Sequence, residues 1–320
     1  MRKYNILVTG VGAVVGYGIV NSLKQSRYDC NIVGMDIYED AVGQFFCDEF
    51  IQAVPAASEN YVTFLLDVFE RYKIDLMFFG TEQEITKVIE NEDKLENIYH
   101  KIVLNKKEII EISDDKWKLY KELYDKCGYI IPSYIEGSYE ELKEKLKVPF
   151  LLKPRRSYAS KGIVRIENKN DFEYWKKKSG KQFMVQPIVG DSEHEFTVAA
   201  FGFGDGTYGD VISLKRKLSG EGATAKAHVI TDEKINQAVD KLCKLLKPTG
   251  PTNFQFRAEG EKLYLLEVNP RISSSTSIRT AMGYNEAEMC IKFYLENKKP
   301  EAEIIKKGSC IRYIADYIIL

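Results

Sequence analysis

The chain has 320 residues, 44% hydrophobic and 29% charged, with 46 Lys and Arg against 47 Asp and Glu for a formal net charge of -1. Its apolar content excludes a disordered chain, its charge balance argues against a nucleic-acid or other polyanion partner, and no apolar run approaches the roughly 20 residues of a membrane span. The length suggests two or three packed units.

Met1-Arg2-Lys3 precedes an apolar run interrupted by Thr9, Gly10, Gly12 and Gly16, so the segment reads as a first strand, Tyr4 to Thr9, and not as a secretory leader. A glycine-rich turn from Gly10 to Gly16 follows, and Ile19, Val20 and Leu23 then recur at helical spacing up to Ser26. Asn31 to Met35 is a second strand ending at Asp36. Tyr61 to Tyr72 is a helix with Phe64, Leu65, Val68 and Phe69 inward, and Asp75 to Phe79 is a strand running into Gly80-Thr81-Glu82. This alternation predicts a parallel sheet covered by helices.

In the middle of the chain Ser113 is positioned to cap a helix from Asp114 to about Cys127, stopped by Gly128 and Pro132. Asp114 and Asp115 favour that helix start. Strands are expected at Pro149 to Lys153, Ile163 to Ile166 and Gln182 to Gln186. The last third is dominated by β patterns: Glu193 to Phe203 alternates, Asp205-Gly206 turns, Val211 to Lys217 continues, and Asn253 to Ala258 pairs with Leu263 to Asn269. The fold class expected is α/β followed by α+β. The cysteines (Cys30, Cys47, Cys127, Cys243, Cys290 and Cys310) lie far apart with no C-x-x-C pair, as structural thiols of a reducing cytoplasm do. His100, His194 and His228 form no metal or nucleophile set.

The turn Gly10, Gly12, Gly16 with Asp36 ending the next strand invites a dinucleotide reading. Its spacing is G-x-G-x-x-x-G, however, and a glycine turn is used wherever a strand packs tightly onto the next helix. A structural or substrate-facing turn, with Gly12 at its centre, is the favoured reading. Gly80-Thr81-Glu82 lies at the carboxyl end of a parallel strand, where such sheets present ligands.

The chemistry is carried by Thr252-Asn253-Phe254-Gln255-Phe256-Arg257 and Leu263-Tyr264-Leu265-Leu266-Glu267-Val268-Asn269-Pro270-Arg271. Asn253, Gln255 and Arg257 share one face of their strand, and Glu267 and Asn269 share one face of theirs. A turn at Glu259-Gly260-Glu261-Lys262 places Gln255 opposite Glu267. The patch then holds one carboxylate and two amide carbonyls, with Arg271 just beyond. Hard oxygen donors without His or Cys suit Mg²⁺ carrying substrate phosphates. Gln255, Glu267 and Asn269 are therefore the candidate metal ligands, with Mn²⁺ an alternative occupant.

The run Glu267-Val268-Asn269-Pro270-Arg271-Ile272-Ser273, with Gln255 upstream, resembles the ATP-grasp superfamily, most of all the ATP-grasp modules of the carbamoyl-phosphate synthetase large subunit. The resemblance implies a Rossmann-like pre-ATP-grasp domain over residues 1–105. It implies a small subdomain with a phosphate flap over 106–185 and a carboxyl-terminal subdomain with the Mg²⁺ site over 186–320. Lys116 would face the ATP phosphates and Lys153 would neutralise their charge. The flap would be Arg155-Arg156-Ser157-Tyr158-Ala159-Ser160-Lys161-Gly162, in which Ser157, Ser160 and Gly162 could cradle phosphate; with one glycine it departs from the family pattern. Met184-Val185-Gln186-Pro187-Ile188 matches the adenine hinge, with Gln186 where many relatives have Glu. Glu193 matches the ribose-binding carboxylate, and Gln255 and Glu267 would also face the nucleotide. Arg216, in Lys215-Arg216-Lys217, and the turn from Ser219 to Thr224 would hold an acyl group.

The activity so implied is ATP-dependent carboxylate–amine ligation through an acyl phosphate, with Arg271 and Arg216 as catalytic groups and ATP and Mg²⁺ as cofactors. Gly12, Thr81, Glu82 and Thr224 would face the substrates, a small-molecule carboxylate and an amine that the sequence does not name. The resemblance also implies a homodimer, and the scattered cysteines a cytoplasmic location. Two competing readings stay open on the sequence: an NAD(P)-binding oxidoreductase using Gly10 to Gly16, and a non-catalytic ATP-binding module.

Overall fold

The computed structural model describes residues 2–157, 161–220 and 222–319. The chain opens with β1 (Lys3–Thr9), α1 (Val14–Lys24), β2 (Asp29–Asp36), β3 (Glu49–Gln52), α2 (Tyr61–Arg71), β4 (Leu76–Phe78), α3 (Glu82–Glu90) and α4 (Glu96–Tyr99). The strands form a four-stranded parallel sheet in the order β3-β2-β1-β4. Successive β1 side chains feed opposite cores: Ile6 and Val8 pack on the α1 side, Leu7 on the α2 side. Strand β3 is absent from the sequence reading. It is short and only half-buried, so its Phe50-Ile51 pair carries no usable period.

Next come α5 (Lys107–Asp114), α6 (Lys116–Leu123), α7 (Tyr139–Leu146), β5 (Phe150–Pro154), β6 (Val164–Ile166), α8 (Lys169–Ser179) and β7 (Phe183–Pro187). The strands form an antiparallel three-stranded sheet, β6-β5-β7, closed by α7 and α8 through Leu142, Phe150, Phe172 and Val185. The single helix expected from Asp114, with Ser113 as its cap, is corrected. Ser113 and Asp114 belong to the last turn of α5, and the chain breaks at Asp115. The Asp115 carboxylate accepts hydrogen bonds from the backbone N–H groups of Trp117 at 3.0 Å and Lys118 at 3.3 Å, which makes it the cap of a second helix. Two helix-compatible segments joined by one Asp look continuous by periodicity alone.

The rest is β8 (Glu195–Phe203), β9 (Tyr208–Leu218), β10 (Thr224–Ile230), α9 (Glu233–Leu246), β11 (Thr249–Glu259), β12 (Lys262–Asn269), α10 (Thr276–Ala281), α11 (Glu286–Cys290) and β13 (Ser309–Ile311). These strands make an antiparallel six-stranded sheet, β12-β11-β8-β9-β10-β13. Strand β8 does not alternate between core and solvent as expected. It is buried from Glu195 to Gly202 because helices cover both faces: Phe196, Val198 and Ala200 meet α9, while Ala199 and Phe201 join the core that also holds α1 residues Ile19 and Val20. That shared core, with the α1–α10 packing, binds the parallel sheet's unit to the large sheet. Asn105 strengthens the junction, donating to Thr252 Oγ1 at 2.9 Å and accepting from the Thr249 N–H at 3.0 Å.

Candidate active site

The β11–β12 hairpin has the register expected from its alternation. Asn253 pairs with Asn269 and Gln255 with Glu267, across the tight turn Gly260-Glu261 between Glu259 and Lys262. A bulge after Gln255 accommodates the mismatch further along the ladder. Phe254 and Phe256 are buried beneath the sheet against α9, which leaves the polar face turned the other way.

That face forms one wall of a cleft of 420 Å³. Asn253, Gln255, Arg257, Glu267, Asn269 and Arg271 come from the hairpin and its exit, Glu195 and Arg216 from the neighbouring strands, Lys153 from β5, and Lys116 and Ser157 from the opposite side. Val14, Val15 and Glu82 enter from the parallel-sheet unit. About half of the candidate site residues singled out in the sequence thus converge on one cleft, from the units of all three sheets.

The positive side is built on α6. Lys116, its first residue, donates through Nζ to the Ser157 carbonyl at 2.7 Å and reaches Ser157 Oγ at 3.3 Å. Lys153 is buried, and burial first, then the charge of Lys116, pulls its pKa from the ordinary 10.5 down to about 8, with Glu267 opposing. Arg155 and Arg156 do not add free positive field: Arg155 pairs with Asp115 and Arg156 with Asp114, at 3.1 Å for the latter. These pairs tie the start of the 155–162 segment to the α5–α6 junction. Ser160 lies outside the described residues, and Gly162 has a left-handed φ of 76° and lies outside the cleft lining.

The acidic side has a feature that sequence reasoning missed. Glu195, 3% exposed, clamps two arginines: Arg216 Nη2 donates to its Oε1 at 2.8 Å and Arg257 Nη2 to its Oε2 at 2.6 Å. The cross-strand register sets both pairs, Glu195 opposite Arg216 and opposite Arg257, so only the long-range pairing of β8 with β9 and β11 reveals them. Arg216 also donates to Gln255 Oε1 at 2.8 Å, so this amide oxygen is engaged in the protein's own network. Behind the wall, fully buried Arg279 donates to Asn253 Oδ1 at 2.5 Å and to Ser273 Oγ at 3.0 Å, paired with buried Glu286. A charged residue on a short helix reads as surface in a sequence, and nothing local marks Arg279 as core.

Other predicted residues stand elsewhere. Gln186, Pro187 and Ile188 do not line the cleft, and Gln186 Nε2 donates to Ser133 Oγ at 2.7 Å. Glu193 is exposed and pairs with Lys217 at 2.8 Å; the cleft-lining carboxylate is Glu195, two residues on. Thr224 is buried against Ser275 at 3.0 Å. The Gly12 N–H donates to Asp36 Oδ2 at 2.8 Å, and Asp36 Oδ1 accepts from the Tyr38 N–H at 3.1 Å, so the acid ending β2 braces its own turn. A Cβ on Gly16 would fall 2.1 Å from the Gly10 carbonyl oxygen, which explains the glycines by close strand–helix packing. Thr81 serves the loop beneath Glu82: its hydroxyl donates to Glu84 at 2.7 Å, and Tyr61 donates to Glu84 at 3.0 Å. Among the described residues no cluster of three His, Cys, Asp or Glu side chains could hold a metal ion. A cation at Glu267 and Asn269 would therefore need most of its oxygen ligands from a phosphate-bearing substrate.

Comparison with known proteins agrees with the motif. Residues 180–317 match the family described as ATP-grasp in the biosynthetic pathway with Ter operon. The carbamoyl phosphate synthase large chain of Thermotoga maritima is 26% identical over 213 residues, covering 61% of this chain and 19% of that one. The chain thus spans about a fifth of the length of that relative. N5-carboxyaminoimidazole synthetase from Staphylococcus aureus, solved with ADP, superposes with a TM-score of 0.75 at 18% identity, over 98% of this chain and 83% of that one. Biotin carboxylase from Campylobacter jejuni, solved in a β,γ-ATP complex, gives 0.74 at 18% identity, over 95% and 74%. The ATP-grasp resemblance read from the motifs is borne out, and the fold is that of ATP-grasp ligases.

Proposed function

We propose that the chain is an ATP-dependent carboxylate–amine ligase, with residues 1–105 as the pre-ATP-grasp domain, 106–185 as the small subdomain and 186–320 as the carboxyl-terminal subdomain. The observation that carries this reading is the meeting of Lys116 and Lys153 with Glu267, Asn269 and Arg271 around one cleft. Lys116 and Lys153 bind the non-transferred phosphates of ATP as compact point charges. Glu267 and Asn269 offer the hard oxygen donors that fit Mg²⁺, and Gln255 joins them if its amide oxygen is shared with Arg216. When bound, the metal screens the charge of the transferred phosphoryl group. The family resemblance would put Gln186 to Ile188 beside the base and Glu193 at the ribose, roles that require them to leave their present partners outside the cleft lining, Ser133 for Gln186 and Lys217 for Glu193.

A carboxylate oxygen of the substrate attacks the γ-phosphorus in line, forming the acyl phosphate and releasing ADP. Arg271 and Arg216 neutralise the oxygens of the reacting group, and Glu195 fixes the orientation of Arg216. An amine then displaces phosphate and leaves an amide. The protein contributes positioning and electrostatics and forms no covalent bond to substrate.

The test is ADP release measured with Mg-ATP and a panel of small carboxylic acids and amines. A pair that stimulates release while forming an amide supports the ligase. Binding of Mg-ATP without stimulation by any pair would favour a binding module. A thermal response to NADPH in place of Mg-ATP would return the oxidoreductase reading.

A further inference from the structure

Arg271 reaches the cleft from the end of β12, but its fork is not open there. Nε donates to Glu82 Oε1 at 3.1 Å, Nη2 donates to the same oxygen, and Nη1 is spent on the Ile272 carbonyl at 3.0 Å. The edge of the guanidinium that a ligand carboxylate would occupy is thus held by a carboxylate of the protein itself. That carboxylate comes from a different unit, at the first residue of α3.

The pair combines a firm base with a loose tip. Beneath it Glu84, 7% exposed, accepts hydrogen bonds from the hydroxyls of Thr9, Tyr61 and Thr81, locking the loop at the end of β4. The Glu82 side chain itself is 44% exposed and that of Arg271 23%. Water reaches both, so the pair is held weakly enough to be exchanged.

We propose that Glu82 is a resident stand-in for the substrate carboxylate. It keeps the Arg271 guanidinium oriented in the empty cleft and gives way when a carboxylate ligand takes the same two N–H groups. The exchange replaces like with like, so it selects ligands bearing a carboxylate over neutral acyl compounds. The displaced Glu82 still faces the cleft, where it offers a counter-charge to a protonated amine. Glu82 is therefore a positioning and selectivity residue acting through Arg271. The inference rests on the reading of Arg271 as a group that neutralises the oxygens of the reacting group, and extends it to the substrate carboxylate itself.

Acetate is the probe, its dissociation constant measured by saturation-transfer NMR on the intact chain at constant ionic strength, with and without Mg-ADP. Glu82→Gln removes the competing charge and keeps the side-chain size, so acetate should bind about fivefold more tightly, the scale of an exposed ion pair. Glu82→Ser should shift affinity in the same direction, and Arg271→Lys should abolish the gain in either background. A Glu82 that served only structure would leave acetate affinity unchanged or weaker, and that result, in variants that melt like the parent, overturns the exchange. Acetate that binds neither the parent nor Glu82→Gln overturns it as well. Failure of Mg-ADP to bind the parent would remove the nucleotide reading instead, while the acetate series without nucleotide still decides the exchange.

Discussion

Lys153 holds an ammonium at 7% exposure, between Lys116 and Glu267, and its depressed pKa of about 8 measures how poorly the protein alone solvates it. Below pH 8 both folded and unfolded chains carry that proton, and the native state bears the full desolvation cost. Between pH 8 and 10.5 the native lysine has lost its proton while the unfolded one keeps it, so stability rises with pH across this window. Lys153→Met should therefore raise stability at pH 7 by roughly 3 kcal/mol, with the gain shrinking as pH rises past 8. The same change should abolish Mg-ADP binding, a trade of stability against function. Loss of stability with intact Mg-ADP affinity would remove Lys153 from the phosphate site. Glu267 is the complementary case, one carboxylate among amides. Glu267→Gln should lower substrate-stimulated ADP release by about a hundredfold or more, while the melting temperature stays close to the parent's; unaltered turnover would end the metal-site assignment.

One residue governs how elements meet at the α5–α6 break. Asp115 caps α6, pairs with Arg155 and so registers Lys116 against Ser157, whose carbonyl receives the lysine. Burial is the largest single influence on its carboxyl and pushes it up, but Arg155 and the Lys118 and Trp117 N–H groups together outweigh it and hold the carboxyl below the usual carboxylate range. Asp115→Ala should cost about 1–2 kcal/mol as a lost cap. It should also weaken Mg-ADP binding, because Lys116 loses its fixed start. Asp115→Asn, which retains the cap but not the charge, should recover most of the stability and less of the affinity. Equal recovery of both in denaturant melts and calorimetry would show that Arg155 plays no part in placing Lys116.

For the whole molecule, the cleft draws on all three sheets, so a nucleotide bound there ties them together in the native state alone. Mg-ADP at about a hundred times its dissociation constant should add about 2.7 kcal/mol of stability. NADPH at matched concentration should add none, because Asp36, the acid ending β2, would repel the 2′-phosphate of that cofactor. Thermal melts with each ligand separate the two outcomes. Among the described residues no helix is long and apolar enough to cross a membrane.

Local pattern alone determined a good deal about this protein. Period-two alternation placed Gln255 opposite Glu267 and buried Phe254 and Phe256, because side-chain direction along a strand is set by the backbone. The glycine turn after β1 and the helices at 14–24 and 61–71 were legible for the same reason, since periodicity and steric need are properties of short segments. What only the tertiary structure decided depends on residues far apart in sequence. Glu195 finds Arg216 and Arg257 through the order of strands in a sheet, Arg279 becomes core because helices close over it, and Glu82 reaches Arg271 across 189 positions of chain. Charge pairing acts through space, and no window of sequence contains both partners.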